Sequence, residues 1–273
     1  MVRQYYAPQV TELSEQELHT VFVATEPPVC LLGGWAVYLH VNPGFQSAHD
    51  REYIGSRDID IGVHVDDDWA DEELRETPVG DAITAIGELG YAKSRFGFVQ
   101  HFLRDSQERI TEDEASERRM HEVFQVYVDI IPDTTALDGF RDVFGFKPPA
   151  EPLLKPVFEE NEGHPLAEYV SWTVSTEKLI VSPELLAAMK IRSLPDRDKS
   201  HKRVKDVADL HALLWYVKDY TQMRTDVLEY VSGSDLKQLE DAIDETEFRS
   251  AAQLLQIEQE LVSNSVTRLL PYY

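Results

Sequence analysis

The run from Asp58 to Val65 constrains this chain more than any other stretch. Ile59, Ile61, Val63 and Val65 fall on one face of an extended segment, and Asp58, Asp60 and Gly62 fall on the other. Side chains alternate across a strand, so one face can join a core only if the other carries two carboxylates. Val29 to Leu32 reads as a short buried strand broken by Gly33-Gly34, with a helix from Trp35 to Val41 opening after the glycines and ended by Asn42, Pro43 and Gly44. Phe96 to Leu103 and Val123 to Ile131 read as further strands, and Asp81 to Leu89 as a helix stopped by Gly90.

Ser14 and Glu17 have the spacing of a capping box, with Leu13 and Leu18 as its staple, for a helix that runs to Ala24 and ends before Pro27 and Pro28. The acidic stretch Asp105 to Glu117 reads as a solvated loop or hairpin extension. Composition shifts at Pro148, Pro149 and Pro152, dividing the chain into residues 1–150 and 151–273. Tyr169 to Val174 and Leu179 to Val181 pair as a hairpin. Ser182, Pro183 and Glu184 open a helix that closes before Pro195. Further helices are expected over His201 to Val217, Asp235 to Ile243 and Glu247 to Val262. The fold class is α/β (α+β): an N-terminal mixed sheet followed by a C-terminal helical domain.

Length and composition fit this picture. The 273 residues are 42% hydrophobic, enough for one large or two modest cores. The apolar runs are far shorter than a bilayer span, and the start lacks an apolar signal core, so a cytoplasmic protein without a membrane span is expected. The lone Cys30 sits in an apolar run and reads as a buried small hydrophobe. The formal charge is 26 − 50 = −24, spread through stretches such as Asp66 to Glu76 and Glu108 to Glu117. Such a surface repels nucleic acid and anionic membranes unless a locally basic site overrides it. With Arg outnumbering Lys 16 to 10, the composition is similar to that of proteins from salt-loving organisms, where this repulsion is screened.

The chemistry gathers around the acidic strand. Asp58 and Asp60, two apart on a strand, point the same way, and such a pair suits hard divalent cations. Asp129, inside the apolar run Val126 to Ile131, is costly to bury unless paired or metal-bound, and completes a set of three acids. Asp58, Asp60 and Asp129 are therefore candidate ligands for Mg²⁺ or Mn²⁺. Gly33 and Gly34 permit a sharp turn and close approach to a phosphate, with helix N–H groups behind them. Ser56 and Arg57 are candidate phosphate donors.

The segment Leu31 to Val65, with Asp129 as third acid, resembles the DNA polymerase β-like nucleotidyltransferase superfamily. Leu186, Ala187, Lys190, Ile191 and Arg192, followed by Lys205-Asp206-Val207-Ala208-Asp209-Leu210, resemble the helical motifs of its AbiEii-type branch of abortive-infection and toxin nucleotidyltransferases. The resemblance implies transfer of an NMP from an NTP such as ATP to an acceptor. It assigns Lys190 to the triphosphate and Asp209, or alternatively Asp206, to a supporting catalytic role. Arg192 and Lys205 join the nucleotide-binding set, and an antitoxin partner is implied. The chain departs from the family pattern in two places. An acidic insertion puts Asp129 71 positions beyond Asp58, and Trp35 stands where a serine often follows the glycines.

Local charge agrees with an anionic ligand: Lys190, Arg192, Arg197, Lys199, Lys202, Arg203 and Lys205 place seven of the 26 basic residues within sixteen positions, partly offset by Asp196 and Asp198. Lys202, Asp206 and Asp209 share one helical face, while Val204, Val207, His211 and Leu214 form a core-like stripe, so His211 reads as structural. His40 reads as an ordinary helix residue, and Trp35, Tyr38, Trp172, Trp215 and Tyr216 as core aromatics more than base-stacking ones. The acceptor is open between tRNA, a protein hydroxyl and a small molecule. Two other readings compete: a sugar-nucleotide transferase that also uses an Asp-x-Asp pair, and a catalytically silent nucleotide-binding or toxin-neutralising protein.

Overall fold

The computed structural model describes residues 5–66, 69–70 and 73–270. Within the acidic stretch Asp66 to Glu76, residues 67, 68, 71 and 72 lie outside the described residues. The chain divides into two compact units, a sheet unit (Pro8–Trp35 and Gly55–Val181) and a helical unit (Ala36–Ile54 and Ser182 onward, joined by residues 5–7). The division falls at Ser182, not at the prolines around 148–152, and the segment Ala36–Ile54 goes with the C-terminal helices.

The sheet unit holds an eight-stranded mixed sheet: β1 Val29–Leu32, β2 Ile59–Val63, β3 Ala92–Lys93, β4 Gly97–Leu103, β5 Arg109–Ile110, β6 Val123–Pro132, β7 Gly163–Pro165 and β8 Leu179–Val181. The order is β3-β4-β6-β2-β1-β8-β7, with β5 beside β4. β2 and β6 are parallel and β1–β2 and β4–β6 antiparallel. The alternation of β2 and β6 explains their central place. Ile59, Ile61, Val126, Val128 and Ile130 are fully buried on one face, whereas Asp60, Tyr127 and Asp129 on the other are half-buried.

Several expected elements differ. The first helix begins at Pro8, and Ser14 lies buried inside it. Its hydroxyl donates to the Arg57 carbonyl (3.0 Å) and accepts from the Trp35 indole (3.0 Å), so it serves tertiary structure, not a cap. The helix after the glycines is Gly33–His49 and runs through Pro43. Gly44 explains the continuation: a Cβ there would run into the Tyr216 carbonyl, so this residue lets two helical backbones meet closely. β8 pairs with β7, not with Tyr169–Val174. The acidic stretch after β4 carries β5 and a short helix, Glu112–Ser116, closed by a Thr111–Glu114 capping box.

In the helical unit, Pro183–Ser193 and Ser200–Tyr216 match expectation, although Ser182 occupies the N-cap position without a capping bond. The expected helix over Glu247 to Val262 is two, Glu245–Leu255 and Gln259–Thr267. Gln256 in the left-handed region (φ 53°) separates them. Among the described residues, no helix is long and apolar enough to cross a membrane.

Candidate active site

Strand register builds the acidic site from the sheet upward. Asp60 and Asp129 are partners across the parallel β2–β6 pair, so their side chains rise from the same face on strands about 4.8 Å apart. The row across the sheet reads Gly97, Asp129, Asp60, Leu32. Asp58, also half-buried, lies just ahead of β2. Its carbonyl accepts from the Ser56 hydroxyl (3.0 Å).

The glycine pair closes on these residues. Gly33 has φ +67°, a conformation that side-chain-bearing residues rarely adopt, and a Cβ on it would strike the Asp60 carboxylate. A Cβ on Gly34 would strike the Ser56 hydroxyl. Backbone at the start of the Gly33–His49 helix thus lies directly against one carboxylate and one hydroxyl. Any side chain at either position would displace that carboxylate or that hydroxyl. Arg57, by contrast, stacks its guanidinium over the Phe124 ring (5.3 Å).

These residues fit a divalent ion that is partly held by its substrate. Among the described residues, no three His, Cys, Asp or Glu side chains converge as a ready-made ligand set. Mg²⁺ does not require one, because it binds through one or two carboxylates and completes its shell with phosphate oxygens and water. The adjacent Asp60 and Asp129 supply that minimum, and Asp58 lies two residues ahead of Asp60 in the chain.

The second group of candidate residues lies in the helical unit. Asp209 is fully buried and Asp206 is 3% exposed. Lys190 bonds to Asp206, and its ammonium stands 2.9 Å from Asp209 Oδ2 in an ion pair not aligned as a hydrogen bond. Lys205 bonds to Asp209 one turn along the helix, and Arg197 Nε donates to Asp206 (2.8 Å). The Tyr53 hydroxyl donates to Asp209 Oδ1 (2.9 Å), while the Lys205 ammonium lies over the rings of Tyr53 (5.2 Å) and Tyr6 (5.7 Å).

Burial and pairing pull these groups in opposite directions. Burial alone would lower the Lys190 pKa, but Asp206 and Asp209 outweigh it and hold the ammonium well above the ordinary lysine value. Burial would raise the Asp206 pKa, and Lys190 and Arg197 outweigh that too. For Lys205 burial wins and the pKa falls, only partly offset by Asp209. Burial, then the Asp209 charge, pushes the Tyr53 phenol well up. The arrangement is a buried charge network in which carboxylates orient lysines.

The structure thus brings Lys190, Lys205, Asp206 and Asp209 together. Arg192 is exposed, and its charge acts on Asp235. Lys202, Asp206 and Asp209 all lie in the Ser200–Tyr216 helix, in which every residue from Val204 to Leu214 is buried and Lys205 bonds to Asp209. Tyr53 was not among the expected site residues, and Arg197 was expected only as part of the local basic cluster. A lone tyrosine between a helix and a glycine turn carries no local signal of its partner 156 positions away. His211 is structural: its Nδ1 meets the Ser265 hydroxyl at 2.6 Å. Trp35 and Cys30 are buried in the core, as expected.

Comparison with known proteins adds one match. The family model described as "Nucleotidyl transferase AbiEii toxin, Type IV TA system" matches residues 49–264. That span contains Asp58, Asp60, Asp129 and the Lys190–Asp209 network, but not Gly33-Gly34. No curated protein and no solved structure matches.

Proposed function

Since the chain belongs to the AbiEii nucleotidyltransferase toxin family of type IV toxin–antitoxin systems, we propose that it transfers an NMP from an NTP to an acceptor hydroxyl, with Asp58, Asp60 and Asp129 as its metal-binding acids. The observation that carries this reading is the in-register pairing of Asp60 with Asp129, with Gly33 backed against Asp60. Mg²⁺ or Mn²⁺ bound there would activate the acceptor oxygen and stabilise the leaving pyrophosphate. The chain's own residues do the positioning. Gly33 and Gly34 leave room for the Asp60 carboxylate and the Ser56 hydroxyl, and the helix they open presents N–H groups to an anion. The Ser56 hydroxyl, lying against Gly34, takes the place of the serine that often follows the glycines in this superfamily.

Lys190 is assigned to the triphosphate and Asp209 to its support, on the resemblance of their motifs. The network agrees with a lysine held in one orientation, since two carboxylates fix its ammonium. The acceptor is a tRNA, a protein hydroxyl or a small molecule, and a cognate antitoxin is the expected partner. Both proposals are tested by incubating purified protein with each labelled NTP and cell extract, with and without Mg²⁺ or Mn²⁺. Asp58→Ala and Asp60→Ala should each lower labelling by roughly 10³-fold, the several kcal/mol a catalytic metal supplies. Undiminished labelling in both variants, or labelling that survives chelation, would refute the assignment.

A further inference from the structure

A basic pocket of about 460 Å³ opens in the sheet unit, lined by Ser94, Arg95, Phe96, Arg141 and the segment Gly145 to Pro148. Three cations, Arg95, Arg141 and Lys147, face it, and no carboxylate lines it. A fourth cation stands at its edge, because a Cβ on Gly145 would touch the Lys93 ammonium at 3.4 Å. The chain has 50 acids and 26 bases, so cations gathered around a lining that holds no carboxylate run against its charge balance. Here none of the four makes an ion pair or a side-chain hydrogen bond among the described residues. The single side-chain contact of this kind is Arg95 over the Phe96 ring (4.8 Å).

The walls are fixed by the core. Phe146 is buried against Phe98 (5.8 Å) and Phe140 (5.7 Å). Gly145, in the left-handed region (φ +84°), ends the Phe140–Phe144 helix and turns the chain so that Lys147 follows that anchor. On the other wall, the β3–β4 turn is closed by the Ser94 N–H donating to the Gly97 carbonyl (2.8 Å). This turn is tied to the acidic strand, for the Ile130 N–H, next to Asp129, donates to the Phe96 carbonyl (3.2 Å). Along the sheet, β4 and β1 flank the two acidic strands on opposite sides. The pocket leads into β4 and the glycine pair follows β1, so the two are separate features.

We infer that this pocket binds a nucleoside phosphate, its phosphate held by Arg95, Arg141 and Lys147 and its flat ring laid against the exposed Phe96. Guanidinium and ammonium groups without carboxylate partners pay no cost to leave one, and guanidinium forks match phosphate oxygens. Phe96 lines the pocket with the Arg95 guanidinium over one face of its ring, and the other face of such a ring is a stacking surface for a base. The volume is of the size that takes one small ligand. The nucleoside phosphate is either free or the end of an oligonucleotide. The inference concerns binding alone and does not depend on the acidic site being a metal site.

Titration of the full chain with AMP, and separately with a five-nucleotide single-stranded RNA, in chelator and at low salt, tests it by calorimetry. Saturable binding of at least one probe is expected, weakened tenfold or more in an Arg95→Ala, Arg141→Ala double variant. The same binding should persist in Asp58→Ala, Asp60→Ala protein, which separates this pocket from the acidic site. Both arginines are exposed, and circular dichroism confirms that the variant is folded. Binding of AMP alone assigns the pocket to a free nucleotide, and binding of the RNA with at least tenfold preference assigns it to a strand end. The inference is overturned if wild type binds neither probe at millimolar concentration, or if the double variant binds both as wild type does.

Discussion

The sheet unit and the helical unit treat their carboxylates in opposite ways. Asp60 and Asp129 stand half-buried on an open sheet face, side by side, with glycine backbone against one of them. Asp206 and Asp209 are enclosed by cations, with Lys190 shared between them. The first arrangement keeps its carboxylates partly exposed. The second is satisfied internally, so it holds structure and orients lysines. The two groups thus differ in burial, with Asp60 and Asp129 partly exposed and Asp206 and Asp209 enclosed.

The largest expected effect breaks this contrast open. Asp209→Ala should cost about 3–5 kcal/mol in denaturant unfolding, because it leaves Lys205 buried without its carboxylate and Lys190 with Asp206 alone. Asp60→Ala, at a half-buried position, should cost less than that, about 1 kcal/mol, while lowering transfer roughly 10³-fold. If the two variants destabilise equally, the distinction drawn between the two acid groups is wrong.

A smaller effect is expected at Gly33. Gly33→Ala places a Cβ in a left-handed residue against the Asp60 carboxylate. The backbone strain costs about 1–2 kcal/mol, and the carboxylate end must swing aside. Transfer should fall by at least tenfold while nucleotide binding in the basic pocket is unchanged. A crystal structure of the variant with Asp60 undisturbed, or wild-type transfer rates, would remove Gly33 from the site.

How much of this was legible in the sequence depended on how local the cause is. β1, β2 and β6 were readable to within about two residues at either end, because period-two alternation or a continuous apolar run is written in the strand itself. The three acids and the glycine pair were visible for the same reason. The pairing of β8 with β7 was not, since Gly163 to Pro165 is short and lacks alternation. Nor was the passage of a helix through Pro43, which depends on Gly44 meeting a backbone 172 positions away. The burial of Lys205, Asp206 and Asp209 was hidden for a further reason. Charge usually marks a solvated face, and only the packed helix shows that opposite charges have been gathered inside it.

His211 supplies the smallest and most discriminating test of how the helical unit tolerates buried polar groups. It lies two residues beyond Asp209 on the same buried helix, fully enclosed, and holds its place as a neutral ring bonded to Ser265 rather than as half of an ion pair. Burial, with a minor contribution from the His49 charge, pushes its pKa down to about 3 from the ordinary histidine value. The unfolded chain therefore takes up a proton near pH 6.5 that the folded chain refuses until about pH 3. Between those values the unfolded state binds more protons, so stability falls as pH falls, by roughly 1 kcal/mol per pH unit. His211→Asn, which keeps a polar group near Ser265 but cannot take up that proton, should flatten the wild-type loss of stability between pH 6.5 and pH 5. Parallel stability curves for the two proteins over that window would mean that the ring is already charged in the fold. The helical unit would then stabilise every buried ionisable group by pairing, His211 included, and not by keeping some of them neutral.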